Sequence, residues 1–530
     1  MTGRTRDAAT LAAGTLVSRL LGLLRDLLVA SVLGPAADAF VLAFRLPNFF
    51  RRLLAEGSLG LAYAAAEAGI KKERGPGEAS AFARAVSLRL FLLALPACLL
   101  LVPLTPALAF LLAPGAQTAI LDRGAALLRL CLPYLPLSLV AAIAFTHAAG
   151  AGNFRPQAWA PALLNIPILF AGAAALLLHT GRGAAETLLC LGIVAGGIAQ
   201  AALGLRCLGV DGKNARPPSL GRSGIPFFSA PPEVGAFLKK MPASALGGAP
   251  HQLHILAGMA VASFMAPGGI SALYFAERLI ELPLGIAGAA VGIAALPGLA
   301  ADAARGHTRD FREHLARSMG MSAFFSLPAA AGLFSLALPL CRLLFGHGAY
   351  AGEPVAITAA ALQGYALGLP ALCAARPLLA AANALGLERV PLETAVKSMG
   401  VLVIGSLAGL MLASAPVHTA FCMGLGLGAG ALANAWLLLR RVGGELARRG
   451  RTESGTAGTL RDLLPGAGRY AAAALLMGAG LLPLGAAGGP GTAVLLLVIA
   501  LCAGLWCGGW YLLRSPEARE LASFFICRSQ

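Results

Sequence analysis

The sequence is poor in charge and poor in recognisable chemistry. Only 12% of its 530 residues are charged, too few for a water-soluble chain of this length. No Walker sequence, no His-Glu-x-x-His and no Gly-x-Ser-x-Gly occurs, so nucleotide hydrolysis, zinc proteolysis and α/β-hydrolase chemistry have no motif to rest on. The ten cysteines are scattered, mostly in apolar segments such as those of Cys98, Cys190 and Cys422, with no pair at metal-ligand spacing. His147, His251, His254 and His347 lack that spacing too, and a lone helical His is more often packed or interfacial. No metal, cofactor or catalytic residue is therefore expected. Acidic residues are also scarce, 24 against 41 basic ones, leaving a net charge of +17. Such an excess can mark a nucleic-acid binder, but here the basic residues fall in short loops between apolar runs, where membrane topology accounts for them. No nucleic-acid partner is expected.

What is abundant is apolar surface: 58% of the residues are hydrophobic and the mean hydropathy is +0.77. Runs such as 90–112, 188–205 and 494–513 are long enough to cross a hydrocarbon core of roughly 30 Å. They are apolar on all faces rather than alternating, which selects helices over a barrel. The 66 glycines and 33 prolines agree, because small residues let membrane helices approach and Pro is tolerated where neighbours or cavity water satisfy the freed carbonyl. The glycine-rich stretch 424–430 reads as helix packing, and the helix with Pro96, Pro103 and Pro106 as one that can bend. The fold class is an all-α polytopic membrane protein of about 14 transmembrane helices.

Basic clusters occur at Arg4 and Arg6, at Lys71, Lys72 and Arg74, at Arg155, and within 213–222, 305–317, 389–397, 440–451 and 514–519. The intervening loops, around Gly34, Pro114, Pro267, Pro416 and Gly488, carry almost no Lys or Arg. This alternation predicts that both termini are cytoplasmic. The first apolar stretch holds Arg19, Arg25 and Asp26 without a small-residue cleavage site after it, so it reads as a first transmembrane helix, not a signal peptide. The Pro-, Gly- and Arg-rich segment 210–232 predicts a cytoplasmic linker between an N-terminal lobe, 1–209, and a C-terminal lobe, 233–441. A short repeat supports the division. Ala30-Ser31 with Pro35, then Ala43-Phe44-Arg45-Leu46-Pro47, parallels Ala262-Ser263 with Pro267, then Ala276-Glu277-Arg278-Leu279 and Pro283. With an even number of spans in the first half, the two copies are expected to share orientation, which gives a pseudo-two-fold axis along the membrane normal and two similar lobes able to enclose a central cavity.

Charges stand where lipid should be. Arg19 lies well inside an apolar run, and an Arg at mid-depth costs roughly 2.5–3.5 kcal/mol on insertion scales. Ser18 and Arg25 share one helix face, as do Arg19 and Asp26, so this helix either presents polar groups to an aqueous cavity or holds an Arg–Asp pair that only fixes packing. The second helix adds Asp38, Arg45, Asn48, Arg51, Arg52 and Glu56. Arg51 and Arg52 can snorkel from a helix end, but a bend at Pro47 would turn Arg51 inward. In the second half Arg278 and Glu281 lie three apart, open equally to an internal salt bridge and to ligand contact. The repeat relation to Arg45 favours the cavity. Several arginines in both halves suit an anion with forked oxygens, above all a phosphate or pyrophosphate.

At these residues the sequence resembles the MurJ (MviN-type) lipid II flippases of the MOP exporter superfamily. The resemblance runs through Ser18-Arg19, Gly22, Arg25-Asp26, Asp38-Ala39-Phe40, Phe44-Arg45-Leu46-Pro47-Asn48, Arg51-Arg52 and Ala55-Glu56-Gly57. It continues through Ala160-Pro161, Leu164-Asn165, Tyr274, Ala276-Glu277-Arg278-Leu279, Leu282-Pro283, Leu344-Phe345 and Gly348-Ala349-Tyr350. It implies two six-helix lobes plus two C-terminal helices, within 442–530, that form a groove for a prenyl tail. It implies further that Arg19, Arg25, Arg51 and Arg278, with Asp38, receive the headgroup of lipid II, the undecaprenyl-pyrophosphate-linked disaccharide peptide; the charge pattern of the two segments adds Arg45, Asn48 and Glu281 as candidate substrate-binding residues. The expected protein is an inner-membrane transporter, not an enzyme, working by alternating access among membrane lipids; association with the cell-wall synthesis machinery is left open. An acidic residue expected before Thr394 for a cation site is replaced by Pro391, so no ion site is carried over.

Competing readings are a flippase for another lipid-linked oligosaccharide, a MATE-like cation-coupled drug exporter, a membrane enzyme acting on lipid carriers, and a scaffold. A drug exporter would want a carboxylate-centred cavity, an enzyme would need a nucleophile, base or metal set, and a scaffold leaves the buried charges unexplained.

Overall fold

A backbone in hydrocarbon has no water to satisfy its N–H and C=O groups, so it must close its hydrogen bonds within each segment. The computed structural model obeys this throughout. It describes residues 3–52, 58–210, 232–450, 467–486, 491–513 and 515–519, and among them every regular element is helical. The Ala55-Glu56-Gly57 motif, the loop at Gly488 and nearly all of the expected 210–232 linker lie outside the described residues.

The chain divides into two compact units. The first spans Met1–Ser271 with Gly348–Tyr350. It contains α1 (Gly3–Leu33), α2 (Ala37–Phe50), α3 (Ser58–Arg74), α4 (Pro76–Leu112), α5 (Thr118–Cys131), α6 (Tyr134–Gly150), α7 (Arg155–Leu177), α8 (Arg182–Val210) and α9 (Pro232–Ala262). Here α7 packs between α1 and α8, α6 lies on α4 and α8, and α3 lies on α4 and α9. Tyr63, Phe82, Ile143 and Phe237 centre a core shared by α3, α4, α6 and α9. Arg74 of α3 pairs with Glu233 of α9 at 2.7 Å beside that core, which includes Ile70 and Val234.

The second unit spans Ala272–His347 and Ala351–Gln530. It holds most of α10 (Gly269–Arg305), then α11 (Thr308–Ser335), α12 (Ala337–Phe345), α13 (Glu353–Ala366), α14 (Leu369–Ala384), α15 (Val390–Leu412), α16 (Pro416–Gly450), α17 (Ala467–Ala486) and α18 (Thr492–Leu512). In it, α16 is embraced by α13, α14 and α15. The glycine-rich stretch of α16 explains how: a Cβ on Gly364 would overlap the Phe421 carbonyl oxygen, and one on Gly424 would overlap that of Ala361. The backbones touch directly, as small-residue membrane interfaces do. Phe324, Tyr470 and Trp506 form a second core where α17 and α18 meet α11, with the Trp506 indole donating to the Phe324 carbonyl at 3.1 Å.

Eight helices are long and apolar enough to cross a membrane, and counting three bent pairs as single spans raises this to eleven among the described residues. The first unit holds one of these bent pairs, α5 and α6 at 43°, and the second unit two, α11 and α12 at 75° and α13 and α14 at 48°. Large apolar side chains stand exposed on several of these helices. Leu100 of α4 is 71% exposed, Met411 of α15 88% and Leu512 of α18 81%. At about 25 cal/mol per Å2 such surface is costly in water and neutral in lipid.

Candidate functional site

In the first unit the polar residues of α1 and α2 are drawn into the packing. Arg25 is buried, with Nε 3.0 Å and Nη2 2.8 Å from Asp26 Oδ1. Its Nη1 donates to Asn165 Oδ1 of α7 at 2.9 Å, and the guanidinium lies 4.9 Å from the Phe44 ring centre on α2. Arg25 thus joins three helices, and the Asn165 amide also donates to the Ser18 carbonyl at 3.4 Å. A buried pair of this kind is strongly destabilised when one partner is removed, by about 3–5 kcal/mol, because the other charge stays behind in low dielectric.

Asp38 opens α2 and is buried. Its Oδ2 accepts the Gly268 N–H at 2.7 Å and its Oδ1 the Ser271 N–H at 2.7 Å. Those residues are the turn into α10, so the carboxylate caps a helix N-terminus 230 residues away in sequence. Arg45 and Asn48 are buried further along α2. Pro47 withholds an N–H from the helix, and after Phe50 the chain passes into a π turn at Arg51 and Arg52. Arg51 is half-buried there and its Nη2 donates to Asn48 Oδ1 at 2.9 Å. Arg19 is half-buried on α1.

Arg51 also lines a cavity of about 490 Å3 that lies wholly within the first unit, among residues of α3, α6, α7 and α8. Nearby, His147 is buried with Nδ1 against the Glu67 carboxylate and Nε2 3.4 Å from the Ser80 hydroxyl. It is a packed histidine, as its isolation in the sequence implies.

In the second unit, Arg278 Nη1 lies 2.6 Å from Glu281 Oε2 one turn on, and its guanidinium sits 4.6 Å from the Tyr274 ring centre. Both charged groups are half-buried. The i, i+3 pair available from the sequence is made, and a face of the guanidinium stacks on the ring. Among the described residues no group of three His, Cys, Asp or Glu is placed to hold a metal ion.

Sequence reasoning did not single out Asn165 or Phe44 as partners of Arg25, nor Gln157 and Gln200 as cavity walls. An amide inside an apolar helix is the signal that was available for Asn165 and Gln200.

The sequence profile described as "MurJ: Lipid II flippase MurJ" matches residues 29–462, most of the chain and parts of both units. The chain belongs to the MurJ lipid II flippase family. A relative from Bdellovibrio bacteriovorus, "Probable lipid II flippase MurJ", is 32% identical over 410 residues, 75% of each chain. One of the same description from Haemophilus influenzae is 31% identical over 375 residues, 67% of this chain and 71% of that one. The fold is similar to the solved structure "Lipid II flippase MurJ, inward closed conformation", with a TM-score of 0.72, 20% identity and coverage of 94% of this chain and 98% of that one. An inward-facing MATE family multidrug transporter of the MOP superfamily follows, at a TM-score of 0.67, 15% identity, and 84% and 100% coverage. The MurJ match includes Asp38, Arg45, Asn48, Arg51, Arg278 and Glu281, while Arg19 and Arg25 precede its first matched residue. As a member of the MurJ family the protein is a multi-pass membrane transporter.

Proposed function

We propose that the chain carries lipid II from the cytoplasmic to the periplasmic leaflet of the inner membrane by alternating access. Membership of the MurJ family over residues 29–462 carries this reading. Within it, the residues divide by exposure. Arg19, Arg51 and Arg278, each half-buried, take the oxygens of the headgroup, where a planar guanidinium offers forked hydrogen bonds. The buried Arg25, Asp38, Arg45 and Asn48 keep α1 and α2 in the geometry that presents them. Glu281 holds Arg278 when no anion is there. The protein translocates and does not catalyse.

The regular alternation of basic loops supports fourteen spans with both termini cytoplasmic. The short repeat supports two lobes, 1–209 and 233–441, joined by 210–232, with 442–530 supplying the last two helices and the tail. Moving an anion outward across an inside-negative membrane is downhill by roughly 2.3 kcal/mol per charge per 100 mV, so the membrane potential is a sufficient drive in principle.

The test is depletion of the host flippase in a bacterium expressing this chain, scoring growth and the periplasmic accessibility of lipid II. Wild type restores both, and Arg278→Ala, inserted at the same level, restores neither. If inserted wild type restores neither, the substrate is another lipid-linked molecule.

A further inference from the structure

α2 and α3 follow one another in the chain but are held by different neighbours. On α2, Asp38 caps the first turn of α10, Leu42 lies so close to Gly124 of α5 that a Cβ there would come within 2.8 Å, and Phe44 carries the Arg25 guanidinium. On α3, Tyr63 stacks on Phe82 of α4 and meets Phe237 of α9 edge-on, while the Lys71 ammonium donates to the Gly150 carbonyl of α6 at 3.0 Å. Between the two sets lies the π turn at Arg51 and Arg52.

One further link of α3 is polar and buried: the Glu67 carboxylate against Nδ1 of His147 on α6. The Ser80 hydroxyl of α4 gives its single hydrogen to the Pro76 carbonyl at 3.1 Å, so its oxygen, 3.4 Å from Nε2, takes the Nε2 hydrogen. One more proton then lies between Nδ1 and the carboxylate, and with it the pair is neutral as a whole, as burial requires. A buried ion pair generally gives no more stability than apolar side chains packed in its place. What it gives is direction, because its hydrogen bond forms at one height and one rotation of α3 on α6, whereas apolar faces can slide. Ala64 of α3 and Thr146 of α6, close to the pair in sequence, line the cavity of the first unit, so the pair also fixes the spacing of those walls.

We propose that Glu67 and His147 are positioning residues of the transport cycle: their bond pins α3 to α6, and the two helices keep one register through every step of it. Bending of the chain between α2 and α3 is then left to the π turn. The inference rests on the reading of the chain as a lipid II flippase.

The test measures lipid II translocation by the purified full chain in proteoliposomes. His147→Ala and Glu67→Ala each lower the maximal rate about tenfold and leave the lipid II concentration for half-maximal rate unchanged, the split expected of residues that act on the moving step and not on binding. His147→Asn, which keeps an N–H donor for the carboxylate, and Glu67→Gln, which keeps an acceptor for the ring, stay within about twofold of wild type. Lys71→Cys with Ala151→Cys, both at exposed positions, is then bridged by a short bismaleimide, with the bridge verified by peptide mass spectrometry. The bridge leaves the rate unchanged where His147 is present and restores His147→Ala to within about twofold of wild type. A bridge that stops transport where His147 is present overturns the proposal, since α3 and α6 must then part during the cycle. So does a wild-type rate in His147→Ala, or a deficit that the bridge does not restore. Wild type that moves no lipid II overturns the flippase reading, and this proposal with it.

Discussion

Replacing Asp38 by Asn separates a capping role from a ligand role at a position where both have been argued. In the folded protein the carboxylate accepts two backbone N–H groups, from Gly268 and Ser271, each at 2.7 Å. Hydrogen bonds to a charged acceptor contribute about 1.5–3 kcal/mol each. The Asn side chain keeps one neutral acceptor and turns an NH2 toward the second N–H, which is then buried without a partner. The net loss is about 3 kcal/mol, confined to the first turn of α10. Hydrogen exchange read by mass spectrometry reports it directly. At 1.4 kcal/mol per tenfold, the Gly268 and Ser271 amides of Asp38→Asn exchange on the order of 100-fold faster than in wild type, while the α7 and α16 amides are unchanged. Lipid II transport falls only as far as the folded fraction falls. Unchanged protection at those two amides would falsify the capping argument and leave the carboxylate to the ligand.

Asn165→Leu removes an acceptor from buried Arg25 and costs about 1.5–3 kcal/mol; the midpoint of thermal aggregation in detergent drops, and a midpoint equal to wild type counts against the three-helix joint. Gly424→Leu forces α16 away from α13, with an overpacking cost of roughly 1–3 kcal/mol or more, and gives a lower yield of monodisperse protein than Gly444→Leu, whose site meets nothing within 4 Å. Arg309→Ala, at a 91% exposed side chain in an i, i+4 pair, leaves both insertion and complementation at wild-type level, since such surface pairs contribute about 0.3–0.5 kcal/mol.

Helix content, membrane class and the reason for the glycine-rich stretch were legible in the sequence, because each is a local property: run length, all-round apolarity, and small residues every second or third position. The Arg278–Glu281 pair was legible for the same reason, being one helical turn. What was not legible is long-range. The sequence shows Asp38 among other charges but not that two N–H groups 230 and 233 residues on use its oxygens. It shows Arg25 next to Asp26 but not Asn165, 140 residues away. A cavity needs four helices to exist before it has walls, so no periodicity announces it. The π turn at Arg51 and Arg52 is half legible, since Pro47 predicts a disturbance without saying which residue it re-aims.

The glycine contacts of α16 have a mechanical meaning. Gly364 on α13 and Gly368 at the start of α14 lie on opposite sides of the 48° bend, and both rest on α16, at Phe421 and Gly428. A strut that touches both arms of an elbow holds its angle. Contacts made by bare backbone have no rotamers to rearrange, so they pass a push on without absorbing it. This elbow is therefore splinted, and α13, α14 and α16 turn as one lever.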